Sequence, residues 1–432
     1  MKTRSIKIPI FLLTVLFTAT SWADNVVNTI NQGGDNNKAA VVQPGVLNDN
    51  NEATILQGNL LFGNSNSNLA QINQINNTVS PVPSQNAIIL QGAGMLDLLI
   101  NIPTSGIPPL LIPLDPRVAF FLFDLPLVPP ILDSENNKAV TDQGTFGPGF
   151  TNFSITAQNG SDNVAYTRQN TGLNIAGIIQ GSFFGGTNLN AFIEQGNGLG
   201  IGGDFAKLVQ EGIGHRASIE QTSNPLLGTR LISLNFLSGA NSAEIRQTNP
   251  LSANNSARIV QTGFGNNNLL DPAKISQSGQ DQRALIYQTG NGSTHASVVQ
   301  GGGKNTAAIL QLQDGGFSAS ATHSATIVQG PSLNLATLNH AIVLQTGSGA
   351  SHKAEVTQSD LAQTGLVYQT QQNVSGDATL VQTNTNNLGV VVQGDKPLNL
   401  FTEATDPFLG QLLSPVEAGI SGTPPALLGV PF

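Results

Sequence analysis

The stretch QGGDNNKAAVVQPG, residues 32–45, sets Gln32 and Gln43 eleven residues apart, each followed within two residues by glycine. Between them Asn37, Ala39 and Val41 fall on every second position and lead into Gln43. The same order returns in NEATILQGN (51–59), NVAYTRQN (163–170) and NTAAILQLQ (305–313). Successive side chains of a strand point to opposite faces, so Asn, Ala, Ile or Val, and Gln at i, i+2, i+4 and i+6 share one face. A helix would scatter them around its axis. The spacing predicts strands.

The unit Ala-x-x-x-Gln recurs from Ala39/Gln43 to Ala378/Gln382, with Ser154, Gly365 and Gly389 in the alanine position before Gln158, Gln369 and Gln393. The glutamines so placed are Gln32, Gln43, Gln57, Gln74, Gln91, Gln143, Gln158, Gln169, Gln180, Gln195, Gln210 and Gln221. They continue as Gln247, Gln261, Gln277, Gln288, Gln300, Gln311, Gln329, Gln345, Gln358, Gln369, Gln382 and Gln393. Eight of the intervals between neighbours are eleven residues, enough for a strand of five to seven and a tight turn, and QTG, QSG, QGG and QPG supply glycine where the chain reverses. Two units make a coil of about 22 residues, and stacked coils make an all-β solenoid in which each rung touches only its neighbours. Irregular intervals read as loops bulging from the turns. The 26-residue interval from Gln221 to Gln247 leaves room for a degenerate unit, LISLN, with Asn235 in the glutamine position.

Stacking explains the residue types. Inward alanine and isoleucine fill a thin dry space between two sheets, each buried isoleucine contributing roughly 1.5–3 kcal/mol. A buried amide without a partner costs about 1–3 kcal/mol. With the same amide on the next rung, about 4.8 Å away, each donates to one neighbour and accepts from the other. The ladder removes the penalty and fixes register, since a slip of one residue would turn the whole set outward. Outward positions include Lys207, Glu220, Glu244, Arg246, Arg258, Lys274, Tyr287 and Glu355, a mixture that suits a solvated sheet. A disordered, amide-rich tract is the rival, but disorder needs no positional alternation.

Only 10% of residues are charged, against roughly 25% in ordinary globular chains, and aromatics are 5%. Residues 1–23 read as a secretory signal: Lys2, Arg4 and Lys7, a short apolar run, then Ser21-Trp22-Ala23. Its removal takes three basic and no acidic residues, moving the formal charge from −9 to −12. An acidic chain argues against nucleic acid as a partner. No cysteine is present, so no disulfide framework supports an exported chain. The organisation expected is signal 1–23, repeats 24–91, an apolar insertion 92–135 with eight prolines, repeats 136–394 and an apolar tail 395–432. The prolines exclude a continuous helix or a central strand, and the two apolar segments either cover a rung or flank of the solenoid or dock a partner.

Catalytic, cofactor and metal sites are not expected. The GxGxxG match at Gly198, Gly200 and Gly203 falls in a loop between repeats without βαβ context. His215, His323 and His352 sit in the asparagine position, two before alanine, and read as substitutions in a polar slot. His323 and His352 are two units apart, which allows them to stack on adjacent rungs.

The run Gln-x-Gly-x-x-Asn-x-Ala-x-x-x-Gln at Gln32, Gly34, Asn37, Ala39 and Gln43 resembles the curlin repeat of bacterial curli, the amyloid fibres of biofilm matrix. Gln43, Gly45, Asn51, Ala53 and Gln57 repeat it with a longer loop, and the resemblance covers most of 25–394. It implies a β-solenoid secreted to the surface of a Gram-negative bacterium that self-associates end to end, with nucleator and outer-membrane secretion partners and no small-molecule substrate. The alternative is a monomeric solenoid adhesin with capped ends. The chain is long and unevenly spaced for a major curlin subunit, and it carries the large insertion.

Overall fold

The computed structural model describes residues 26–394 without 44–49, 59–64, 77–83, 93–133, 146–151, 171–173, 182–185, 197–203, 223–240, 250, 265–271, 292–293, 313–321, 331–338, 348–350, 371–374 and 384. The described residues are all-β. Strands alternate between two parallel sheets of twelve strands each, the first sheet opening with Val26–Gln32 and the second with Lys38–Val42. Each coil gives one strand to each sheet and re-enters in the same direction, which makes every ladder parallel. Gln158 and Gln180, 22 residues apart, are register partners in adjacent coils. The fold is the β-solenoid that the spacing predicts.

Register follows the repeat. Ala191 lies opposite Ala217, Ile193 opposite Ile219 and Gln195 opposite Gln221, and the pattern persists to Gly365–Gly389, Val367–Val391 and Gln369–Gln393. One irregularity interrupts the outermost strand of the first sheet, between Val27 and Thr29.

Alanine and aliphatic side chains from both sheets meet in the interior, where Ile55, Ile72, Ile178, Ile193, Ile245 and Ile327 are fully buried. The interior is nonetheless two apolar clusters, one from Ala53 to Ala139 and one from Ala165 to Ala378. Thr141, Thr156 and Thr167 occupy the isoleucine column between them, at most 1% exposed, and their hydroxyls have no hydrogen-bond partner. Each leaves a buried polar group where a methyl would pack.

Tight arcs join the first sheet to the second. Gln158 reaches Asn163 through only four residues, with Gly160 at φ 97° and Asp162 at φ 56°. A left-handed residue just before the asparagine column recurs at Asn36, Asn136, Asn188, Asn254, Asp281 and Asn386, types that tolerate that conformation. Glycine is obligatory at 160 for a second reason: a Cβ there would stand 2.2 Å from the Gly186 carbonyl oxygen.

Ser134 and Glu135, counted with the insertion, belong to the solenoid, because they pair with Ser65 and Asn66 and Glu135 bridges on to Ser161. Across the 26-residue interval Gln210 bonds directly to Gln247 and Gln221 to Gln261, and Asn235 itself lies outside the described residues. Lys207 and Glu244, expected on a solvated face, are 1% and 7% exposed. The signal 1–23, the tail 395–432, the insertion from 93 to 133 and Gly198, Gly200 and Gly203 lie outside the described residues.

Candidate functional site

The candidate glutamines fall within the last four residues of a strand, or in the case of Gln43 directly after one, divided between the two sheets. The first sheet holds Gln32, Gln57, Gln91, Gln158, Gln180, Gln210, Gln247, Gln277, Gln300, Gln329, Gln358 and Gln382. Gln43, one residue past its strand, leads the second set: Gln74, Gln143, Gln169, Gln195, Gln221, Gln261, Gln288, Gln311, Gln345, Gln369 and Gln393.

From Gln57 to Gln382 each first-sheet Nε2 donates to the Oε1 of the next glutamine at 2.7–2.9 Å. From Gln43 to Gln393 the second sheet repeats this at 2.6–3.0 Å. The second hydrogen crosses the interior to a backbone carbonyl of the facing sheet: Gln158 to Lys138 at 3.0 Å, Gln180 to Val164 at 3.1 Å and Gln195 to Ile175 at 3.2 Å. A buried amide thus uses both hydrogens and its oxygen. The ladder stitches coil to coil and sheet to sheet.

The crossing bond also sets a direction. A carbonyl only accepts, so the amide NH2 must face it, and Oε1 is left for the preceding coil. Every amide dipole consequently points the same way, and aligned hydrogen bonds polarise one another. One end of the stack closes on an acceptor, Gln43 Oε1, and the other on a donor, Gln393 Nε2, whose crossing bond to Asp377 O is 2.7 Å.

The asparagine column forms a second set of links. Asn163 Oδ1 accepts from the Leu189 amide at 3.0 Å in the next coil, and its Nδ2 donates to Asn159 O and Gly186 O, both at 3.1 Å. Asn68 to Asn137 and Asn137 to Asn163 repeat the link at 2.8 and 3.0 Å. These backbone partners escape a reading of side-chain periodicity alone, because the donor is the main chain of the following coil.

His215 reproduces the asparagine's chemistry. Its Nδ1 accepts from Asn255 N at 3.1 Å while Nε2 faces Glu211 O at 2.9 Å and Ser252 Oγ at 2.8 Å. Since the Glu211 carbonyl only accepts, the proton sits on Nε2. Burial drives the His215 pKa down to about 4, against a smaller upward pull from that carbonyl. His323 and His352 are register partners with rings stacked at 5.2 Å and 15°. The His323 pKa is lowered by burial first and by the His352 charge second. Among the described residues no group of three or more His, Cys, Asp or Glu is placed to hold a metal ion.

No protein-family model matches the chain, and no curated protein matches it.

Proposed function

We propose that the chain is a secreted structural subunit that joins copies of itself end to end into extracellular amyloid-like fibres, serving adhesion and biofilm matrix on a Gram-negative bacterium. The observation that carries this reading is the pair of open, complementary end coils. Among the described residues, Lys38–Val42 and Leu388–Gln393 each pair on one side only. The inward side chains of these coils, Ala39, Val41 and Val391, are only partly buried, whereas Ile55, Ile193 and Ile327, at the valine position of inner coils, are fully buried. An apolar parallel strand with a bare edge is a template for another chain.

A second copy seated with its Gln43 coil on the Gln393 coil continues the strands, the apolar interior and both amide ladders in one contact. The ends differ in chemistry, donor against acceptor, so the contact is head to tail. A heterologous contact whose rotation does not close gives an open filament. A nucleator and an outer-membrane secretion apparatus are the partners this reading requires; it needs no cofactor, small-molecule substrate or nucleic acid.

The alternative, a monomeric adhesin with capped ends, needs those same strands to be covered, and the half-buried state of the inward Ala39, Val41 and Val391, whose counterparts in the inner coils are fully buried, weighs against it. The test is elongation from preformed seeds by Val392→Pro, which removes an N–H directed at the open edge of the last strand and leaves its bonds to the preceding coil in place. Normal elongation by a folded Val392→Pro chain would exclude growth through this edge, and its loss with folding intact supports it.

A further inference from the structure

The outward face of the first sheet changes character along the stack. In the coils ending at Gln57 to Gln210 it carries Leu56, Leu90, Ile155, Ile179, Phe205 and Val209, none more than 3% exposed. From Gln277 onward the same face carries Lys274, Ser276, Ser297 and Thr326, none of them buried, and Val299 is 41% exposed. The apolar outward cluster consists of first-sheet residues only. A sheet face open to water cannot reach such burial, so a further layer of this chain lies on it.

We infer that the layer is the segment 93–133. It leaves at Gly92, directly after the first-sheet strand Ser84–Gln91 and inside the apolar patch, and the chain resumes at Ser134. Its 41 residues reach far beyond the patch: five coils span about 20 Å, and an extended chain covers about 3.3 Å per residue. Leu, Ile and Phe dominate it between eight prolines, Pro103 to Pro130. Prolines lack the N–H that a sheet edge requires, but packing on a face requires none. Charge agrees as well. Lys207 is buried in this face, and the segment carries Asp97, Asp115, Asp124 and Asp133 against the single Arg117.

The consequence is a two-part stack. The early coils have three layers, and their first-sheet flank is closed to sideways contact; the late coils leave that flank to solvent. The inference stands independently of fibre formation.

The chain's one tryptophan, Trp22, lies within the signal 1–23, so residues 24–432 report from a single introduced indole. Phe205→Trp in the full chain is expected to emit to the blue and resist acrylamide, and replacing 93–133 by a short Gly-Ser linker should shift it red and open it to quenching. Val299→Trp should be red and quenched in both. Blue emission from Phe205→Trp after the deletion would assign the cover to another segment, such as 223–240, and overturn the inference; red emission in the full chain would overturn it too. Should the deletion chain not fold, nitroxides on Leu110→Cys, Phe121→Cys or Val128→Cys in the intact chain provide the readout. At least one is expected to quench Phe205→Trp, and quenching from none of the three contradicts the inference.

Discussion

Gln180 and Gln210 are register partners in adjacent coils, with Gln180 Nε2 2.9 Å from Gln210 Oε1 and 3.1 Å from Val164 O across the interior. One amide therefore holds three strands. Gln180→Leu strands a buried donor on Gln158 and a buried acceptor on Gln210, and each orphan costs about 1–3 kcal/mol. Denaturant unfolding should show a loss of roughly 2–5 kcal/mol. Replacing Gln158, Gln169 and Gln180 together should slow or abolish fibre growth, and undiminished growth would contradict the ladder's role in templating.

Thr156→Val should stabilise the chain. Its hydroxyl is buried without a partner in a first-sheet column that carries isoleucine, valine and leucine in the other coils. Valine keeps the shape and removes the desolvated group, a gain of about 1–2 kcal/mol. Thermal unfolding measures it, and an unchanged or lower Tm would mean the hydroxyl is satisfied in solution.

Acid should weaken the stack through His215. The ring's pKa is about 4 in the folded chain against an ordinary 6.5, so between these values the unfolded chain binds more protons. Stability is complete above about pH 6.5 and falls as pH drops towards 4, by up to roughly 3 kcal/mol. His323, also lowered, acts in the same direction. His215→Asn restores an amide to the column and should flatten that part of the slope; stability measured from pH 7 to pH 4 separates the two.

Gly160→Ala and Gly144→Ala form a matched pair. At 160 a Cβ meets the Gly186 oxygen at 2.2 Å and the backbone is left-handed, whereas at 144 the nearest atom is Ile75 O at 3.7 Å. The first should cost several kcal/mol or prevent folding, and the second should change stability by less than about 1 kcal/mol. Equal effects would contradict the stacked-arc geometry.

The inward columns were legible because each residue type returns in the same parity: alanine, isoleucine and glutamine name their own face. Parity also places His323 and His352 on adjacent coils, where their rings stack. The outward columns were not legible. Lys207 and Arg258 look alike in sequence, yet Lys207 is buried and Arg258 reaches Glu220 at 2.7 Å from a partly exposed position, because burial depends on chain remote in sequence. Interval length is a weak guide for a related reason: the 26 residues from Gln221 to Gln247 leave room for a strand, yet Gln210 bonds directly to Gln247. The ladder's direction was hidden too, since it is set by carbonyls of the facing sheet.

The most direct test of end-to-end self-association is dilution of residues 24–432 from denaturant into buffer, followed by thioflavin T fluorescence and then fibre diffraction of the product. Fibres with reflections near about 4.7 and 10 Å are expected, from the strand and sheet spacings of the solenoid continued from chain to chain. A β-rich monomer that stays clear and soluble for days, with no rise in fluorescence, would contradict the account.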